Sequence, residues 1–369
     1  MIVGVPREIK TAENRVALTP DGVTELRAHD HDVVVERGAG DGSSIHDDDY
    51  AAAGARLVDA AEAWGAQLVV KVKEPQASEF ASLRRDQILF TYLHLAAYPK
   101  VADALLAAGT TAVAYETVQL ANHALPLLAP MSEVAGRMAT QVGAHFLERA
   151  HGGRGVLLGG APGVRPARVV VLGAGNVGWN AAWIAQGMEA EVLLLDRDLD
   201  RLRWVDQIHQ GRIMTLASNR AAVERAVSEA DLVIGAVLVA GGRAPQVVTE
   251  PMVRAMKKGA VIVDVAVDQG GCVATTHETT HDNPVYEVDG VLHYAVGNMP
   301  GAVPHTSTYA LTNATLPYVV AIANDGLTGA MRTHGELVRG VTIVDGHVTQ
   351  PAVAEALARP VVDPFTALG

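Results

Sequence analysis

The chain has 369 residues, 49% hydrophobic and 19% charged, with 36 glycines. That is more than one core usually supports, so two α/β domains with a cleft between them are expected rather than a disordered polymer. A formal charge of -12 without a basic stripe argues against nucleic acid. MIVGVPREIK lacks an apolar signal core and no run of about 18 apolar residues follows, so no membrane association and a cytoplasmic location are expected. The single cysteine, Cys272, allows no intrachain disulfide and reads as a small buried residue.

After a first apolar strand, short apolar runs at Val33 to Glu36, Leu68 to Val72, Ile88 to Leu95 and Thr111 to Glu116 read as strands of one parallel α/β unit. Thr19-Pro20-Asp21 opens a helix towards His29, with a hydroxyl cap, proline in the first turn and an acid at the positive dipole end. The acids of His46 to Tyr50 are read as favouring another helix N-terminus, not as metal ligands. A proline-rich passage from Pro126 to Pro130 precedes a connecting helix from Glu133 to Ala150, with Ala135, Met138, Val142 and Phe146 on one face.

A glycine-dense run, His151 to Gly163, leads into Arg168 to Gly173, an apolar strand suited to burial on both faces. Further strands at 191–196, 213–216, 231–237, 260–266 and 291–296 alternate with helical segments, which predicts a six-stranded doubly wound sheet. Residues from about 305 read as helices, beginning Ser307 to Leu316, that return to the first domain. The expected fold is therefore α/β in two domains. Residues 131–304 make a Rossmann doubly wound parallel domain that includes the connecting helix, and 1–130 with 305–369 make a discontinuous Rossmann-like substrate and catalytic domain.

Gly173-Ala174-Gly175-Asn176-Val177-Gly178 sits between a strand and a helix. Gly173 permits the tight turn, Gly175 the approach of a pyrophosphate and Gly178 the packing of helix on sheet. Asp196, eighteen residues beyond Gly178 at a strand end, can accept both ribose hydroxyls, which favours NAD. Arg197 and Arg201 nearby could instead take the extra phosphate of NADP. Trp179, on the first turn of the helix, must find room or point outward.

Arg15, in a polar loop after the first strand, can clamp a carboxylate through two parallel donors, although a loop arginine is often merely solvated. Lys73, at the end of Leu68-Val-Val-Lys71-Val-Lys73, would emerge at a strand's C-terminal end as a second cation. His94 ends Thr91-Tyr-Leu-His94, and histidine suits proton transfer near neutrality; a core histidine is the alternative. All three would discharge onto one sheet edge. Asp264 and Asp268 follow a buried strand, with Asp268, beside Gly270 and Gly271, the better catalytic candidate. Asn298 offers amide groups for nicotinamide or substrate, or simply caps its loop.

GVPREIKTAENRVALTP, KVKEP, TYLHLA, the glycine fingerprint, VDVAVDQGG and VGNMPGAVPHTST together resemble the alanine dehydrogenase family over essentially the whole chain. The resemblance implies Arg15 and Lys73 on the substrate carboxylate, His94 as acid and base, and Asp268 beside the reacting amine and water. It implies NAD on the Gly173 to Gly178 turn and Asp196, with further contacts at Ser132, Ser218, Val237, Leu238 and around Asn298. Arg201, Val265, Val296 and Met299 complete that cofactor set. L-alanine, pyruvate and ammonium are the implied small molecules, a homohexamer the implied assembly, and no metal is expected in hydride transfer. Three other readings stand beside it: the nucleotide-binding component of a proton-translocating transhydrogenase, an NAD-binding redox sensor, and a saccharopine-type dehydrogenase.

Overall fold

The structure is a computed structural model that describes residues 1–237 and 244–369. The chain divides into two compact units, Met1–Met131 with Val303–Gly369, and Ser132–Ala302.

The first unit opens with β1 (Ile2–Val5), α1 (Pro20–Ala28), β2 (Asp32–Glu36), α2 (Asp47–Ala52), β3 (Arg56–Val58), α3 (Ala60–Trp64), β4 (Leu68–Val70), β5 (Ile88–Thr91), α4 (Pro99–Ala108) and β6 (Thr111–Ala114). Helix α1 starts as its sequence predicts: Thr19 Oγ1 accepts from the Gly22 amide at 3.4 Å, with Pro20 and Asp21 in the first turn. The acids after His46 also begin a helix, where Asp49 accepts from the His46 amide at 2.8 Å. The proline passage ends sooner than the sequence suggests. Helix α5 runs Ala129–Phe146, not Glu133 to Ala150, because Pro130 fits a first turn where no amide donor is needed.

The second unit continues with β7 (Arg168–Leu172), α6 (Asn176–Gly187), β8 (Glu191–Asp196), α7 (Leu199–His209), β9 (Met214–Ala217), α8 (Arg220–Glu229), β10 (Leu232–Gly235), α9 (Glu250–Arg254), β11 (Val261–Asp264), β12 (Val285–Val288) and β13 (Val291–Tyr294). Its strands stand in the order β12-β13-β11-β10-β7-β8-β9, all parallel except β12. The doubly wound core is as expected, but among the described residues the sheet has seven strands, not six. The extra edge strand is a hairpin partner of β13, joined through Asp289-Gly290, both at positive φ (50° and 77°), as a tight two-residue turn requires.

The returning segment forms α10 (Pro304–Thr333), broken at Gly326 (φ 68°, ψ 169°), then α11 (Leu337–Gly340), β14 (Val341–Val344), β15 (His347–Val348), α12 (Pro351–Ala356) and α13 (Pro364–Leu368). It is therefore not purely helical. β14 and β15 join the first sheet antiparallel through a second Asp-Gly turn, Asp345-Gly346. That sheet has the order β15-β14-β6-β5-β4-β1-β2-β3. Its parallel part repeats the second unit's winding, with the order reversing between β1 and β4, as it does between β7 and β10. In such sheets ligands bind at the carboxyl ends of the strands, at that reversal.

Both cores are valine-, leucine- and alanine-rich, and Cys272 is fully buried in the second, as expected of it. Trp179 settles on the outer side of its unit. Its indole N-H donates to His209 Nε2 at 2.9 Å, and its ring stacks on Trp183 at 5.2 Å and meets Trp204 edge-on at 4.7 Å. Burial, with Arg212 nearby, holds the His209 imidazole low, favouring the neutral ring that can accept this bond. Among the described residues no helix is long and apolar enough to cross a membrane.

The first core also encloses a lysine. Lys71, 0% exposed, extends between Glu8 and Glu79, each 3.1 Å from its ammonium. Glu8 also accepts from the amides of Val72 at 2.6 Å and Lys73 at 3.3 Å, fixing the exit of β4. Removing one member of a buried ion network leaves its partners uncompensated, which costs about 3–5 kcal/mol. Lys71→Ala is accordingly expected to lower the urea midpoint by that order of stability. A midpoint unchanged from wild type would show that water or another cation replaces the ammonium.

Candidate active site

In the first unit, the three groups singled out in the sequence lie on the loops that leave β1, β4 and β5, strands that adjoin in the sheet. Arg15 is not a solvated loop arginine. It is 2% exposed, and Glu13, also buried, grips it with Nε to Oε1 at 2.7 Å and Nη2 to Oε2 at 2.5 Å. The Arg15 backbone amide donates to the same Oε1 at 3.1 Å, and Nη1 approaches Met131 Sδ at 3.0 Å. This two-point grip fixes the plane of the guanidinium.

Lys73 lies three residues beyond the end of β4 and is half-buried, so the strand is shorter than its apolar run. Burial pushes its ammonium below the usual lysine value, and the neighbouring Arg15 cation pushes it the same way. Two cations held this close favour an anion between them. Its backbone carbonyl accepts from Thr91 Oγ1 at 3.0 Å, tying the exit of β4 to the end of β5.

His94 also lies beyond its strand, which ends at Thr91, and adopts the left-handed region at φ 47°, unusual for a residue with a Cβ. Glu116 holds it there. Its Oε1 accepts from the His94 amide at 2.6 Å, and both its oxygens accept from the Leu93 amide at 3.2–3.3 Å. The imidazole lies parallel to Tyr92, centroids 5.9 Å apart, with Nδ1 3.9 Å from Glu116 and the side chain 39% exposed. The ring is thus oriented yet open. Glu13 and Glu116 escape a sequence reading because each acts through a neighbour; only Glu13, two residues before Arg15, leaves a local sign.

In the second unit, Gly173 adopts φ 104°, and a Cβ there would come within 2.6 Å of Ala236 O. A Cβ on Gly178 would collide with Gly173 O. Gly175 is different: it has ordinary backbone angles, and its Cβ would meet only Arg201 Nη1, at 3.6 Å. Two glycines are therefore demanded by the turn and one is not, leaving a cradle at the N-terminus of α6 that fits a pyrophosphate. Asn176 and Val177, the first residues of α6, line that cradle from the helix side.

Asp196, at the end of β8, already accepts from the amides of Ala174 at 2.5 Å and Asp198 at 2.8 Å. The expected ribose ligand thus also braces the glycine turn. Arg201 pairs with Asp198 at 3.4 Å and remains exposed. Ser218 follows β9, its amide bonded to Asp196 O at 2.8 Å, and Val237 is half-buried after β10. Leu238 lies outside the described residues. Ser132 is half-buried within α5.

Asp264 and Asp268 separate cleanly. Asp264, 1% exposed, accepts from the amides of Ala266, Cys272 and Val273 at 2.9–3.1 Å, so it shapes its loop; burial pushes its carboxyl upward. Asp268 is exposed on the turn Val265–Gln269, and a Cβ on Gly297 would stand 3.1 Å from its Oδ1 and collide with Glu278 Oε1. Glu278, unforeseen in the sequence, therefore shares this corner. Val265 opens the turn, and Asn298 adopts φ 56° with its carbonyl accepting from Gly301 at 2.9 Å. Val296 and Met299 are buried at 1% and 3%. Their side chains belong to the core.

An open groove of about 740 Å³ lies at the opposite edge of the second sheet, where strands begin. Its charges are matched to one another, Arg154 and Lys257 to Asp231 at 2.8 and 2.9 Å and Arg168 to Glu191 at 2.5 Å. It is remote from the glycine turn and its polar groups are spent on structure.

A doubly wound sheet with a glycine cradle and an acid on the second strand defines a dinucleotide-binding protein. The models of the alanine dehydrogenase/PNT family match it throughout, the N-terminal domain over residues 4–135 and the C-terminal domain over 139–351, and the chain belongs to that family. It is 54% identical over 365 residues to the alanine dehydrogenase of Mycolicibacterium smegmatis, covering 98% of each chain. A solved L-alanine dehydrogenase structure superposes with a TM-score of 0.95 at 52% identity, over 97% of this chain and 99% of that one. A transhydrogenase from Sinorhizobium meliloti is more distant, with a TM-score of 0.82 at 28% identity, over 95% and 100%.

The glycines provide a two-sided test. Gly178→Ala is expected to destabilise the second unit through its clash with the Gly173 carbonyl. Gly175→Ala should leave the melting temperature unchanged while weakening NADH binding, followed by fluorescence titration. Equal effects on melting and binding in both variants would contradict the division of roles.

Proposed function

We propose that this chain is an NAD-dependent L-alanine dehydrogenase. It catalyses the reversible conversion of L-alanine, NAD⁺ and water to pyruvate, ammonium, NADH and a proton. The observation that carries this reading is the buried Arg15–Glu13 pair beside a charge-strained Lys73, with an oriented His94 on the next strand exit. Two cations suit a small carboxylate, and an imidazole beside them suits proton exchange at its α-carbon substituent. Bound NAD supplies the hydride acceptor.

Arg15 and Lys73 fix the carboxylate, the first by geometry and the second by charge. His94 takes a proton from the water that adds to the imine carbon and returns one to the departing amine. Asp268 offers negative charge to the cationic imine. Gly173, Gly175 and Gly178 cradle the pyrophosphate. Asp196 faces the ribose, which favours NAD over NADP, and Ser132, Asn176, Val177, Arg201, Ser218, Val237, Leu238, Val265, Val296, Asn298 and Met299 complete the cofactor's surroundings. A homohexamer in the cytoplasm belongs to the same reading. A transhydrogenase component, which passes hydride between nucleotides, has no need of a carboxylate clamp and a proton relay.

Two measurements test this. NADH oxidation with pyruvate should require ammonium, and His94→Ala should lower the rate about 10²–10⁴-fold, the usual worth of an acid–base group. An absence of ammonium-dependent oxidation in the wild type would leave the transhydrogenase or sensor reading instead.

The second concerns pH. Because Lys73 is held low, its positive charge is present below its own pKa and lost above it, beginning short of the ordinary lysine range. kcat/KM for pyruvate is therefore expected to fall on the alkaline side, and Lys73→Arg should move that limb upward. An alkaline limb unmoved by the substitution would assign it to another group.

A further inference from the structure

The last turn of α5 and the residues beyond it carry a cluster unrelated to the hydride chemistry: His145, Glu148 and His151, all exposed. One ligand atom from each lies within 4.8 Å of the other two. The two imidazole rings nearly stack, with centroids 3.8 Å apart and planes tilted by 37°. Glu148 Oε2 stands 3.7 Å from His151 Nε2, too far for a hydrogen bond. None of the three side chains makes a hydrogen bond among the described residues. Three donors thus converge without satisfying one another.

The backbone that presents them is firmly set. Gly153 and His151 donate their amides to Glu148 O at 3.1 Å, and Gly155 donates to Leu147 O at 2.9 Å. A Cβ on Gly153 would collide with Phe146 O, so the chain folds back tightly there. Leu147 is fully buried, and Phe146 packs between the histidines and Tyr294 of β13, its ring 5.0 Å from His145, 6.1 Å from His151 and 5.7 Å from Tyr294. The site rests on the sheet and not on a free tail.

We infer that His145, Glu148 and His151 form a binding site for one divalent transition-metal ion of the zinc type. The carboxylate oxygen is a hard donor that any divalent cation accepts, but the two imidazole nitrogens are borderline donors, and two of them together favour Zn²⁺, Ni²⁺ or Cu²⁺ over Ca²⁺ or Mg²⁺. Bonds of about 2.0–2.2 Å to a tetrahedral ion need ligand atoms roughly 3.3–3.6 Å apart; the three lie within 4.8 Å of one another, and because an imidazole lone pair lies in the ring plane, the two nearly stacked rings turn towards the ion as it binds. Water completes the coordination. The bound ion clips the end of α5 to the turn Arg149–His151, and so strengthens the second unit without entering the reaction.

The test titrates Zn²⁺ into the EDTA-dialysed full-length protein by calorimetry, alongside His145→Ala/His151→Ala, Glu148→Gln and, as a control for the other surface histidines, His123→Ala. The expected result is one tight Zn²⁺ per chain in wild type and His123→Ala, with affinity at least about tenfold weaker in the double variant and an intermediate loss in Glu148→Gln. Zn²⁺ should raise the melting temperature of wild type and leave the double variant unmoved. Equal affinity in wild type and the double variant, or no stoichiometric binding to wild type, would overturn the site. Since all three side chains are exposed, the variants are expected to keep the wild-type fold, checked by circular dichroism. If the double variant fails that check, Glu148→Gln with Co²⁺ absorption decides: an unchanged cobalt spectrum would count against the proposal.

Discussion

A guanidinium shut away from water is tolerated only with its countercharge, and the Glu13–Arg15 pair is the contact on which the first unit's ligand edge depends. Exposed pairs such as Arg203–Asp200 contribute at most about 1 kcal/mol and are free to rearrange. Burial changes the scale: an unpaired charge in the same place would cost several kcal/mol. Arg15 therefore cannot swing away, and the plane of its guanidinium keeps a fixed direction. Lys73 inherits the consequence, since a permanent cation beside a half-buried amine makes its own charge less stable until an anion arrives.

The same rule governs the exits of neighbouring strands. Glu8 compensates Lys71 and pins two amides beyond β4, while Glu116 pins two amides beyond β5 and holds His94 in a backbone conformation it would otherwise leave. In the second unit the constraint is steric where in the first it is electrostatic. Gly173 and Gly178 are required because atoms of the turn occupy the space of a side chain, and Asp196 braces the turn by accepting the Ala174 amide. Both units thus obtain rigidity at the strand ends by giving several of the polar groups there a defined partner.

Much of the architecture was legible because it rests on short-range chemistry. Thr19, Pro20 and Asp21 announce α1, and the glycine spacing with Asp196 announces the turn after β7. The misreadings have equally local causes. Apolar runs such as Ile88 to Leu95 continue past the point where pairing stops, because residues beyond a strand are still buried, so strand lengths were overestimated. The two hairpins absent from the sequence reading each carry a visible sign of a tight turn, Asp289-Gly290 between Val288 and Val291, and Asp345-Gly346 after the apolar Val341 to Val344. The three-residue β3, with an exposed first position, offers no alternation from which to read it.

The candidate site divides along a similar line. Residues that would touch ligand could be picked out, since strand ends near a reversal of winding are where polar residues need a reason. Residues acting through others could not. Lys71 and Lys73 are two positions apart in one apolar run, and nothing in their spacing says which is sealed in the core; the decision belongs to Glu8 and Glu79, one far upstream and one in the turn after β4. Likewise Asp264 and Asp268 differ by one helical turn in sequence, yet one spends its oxygens on three amides while the other stays exposed. A carboxylate's availability for chemistry depends on how deeply the fold buries it, and that depth exists only once the chain has folded.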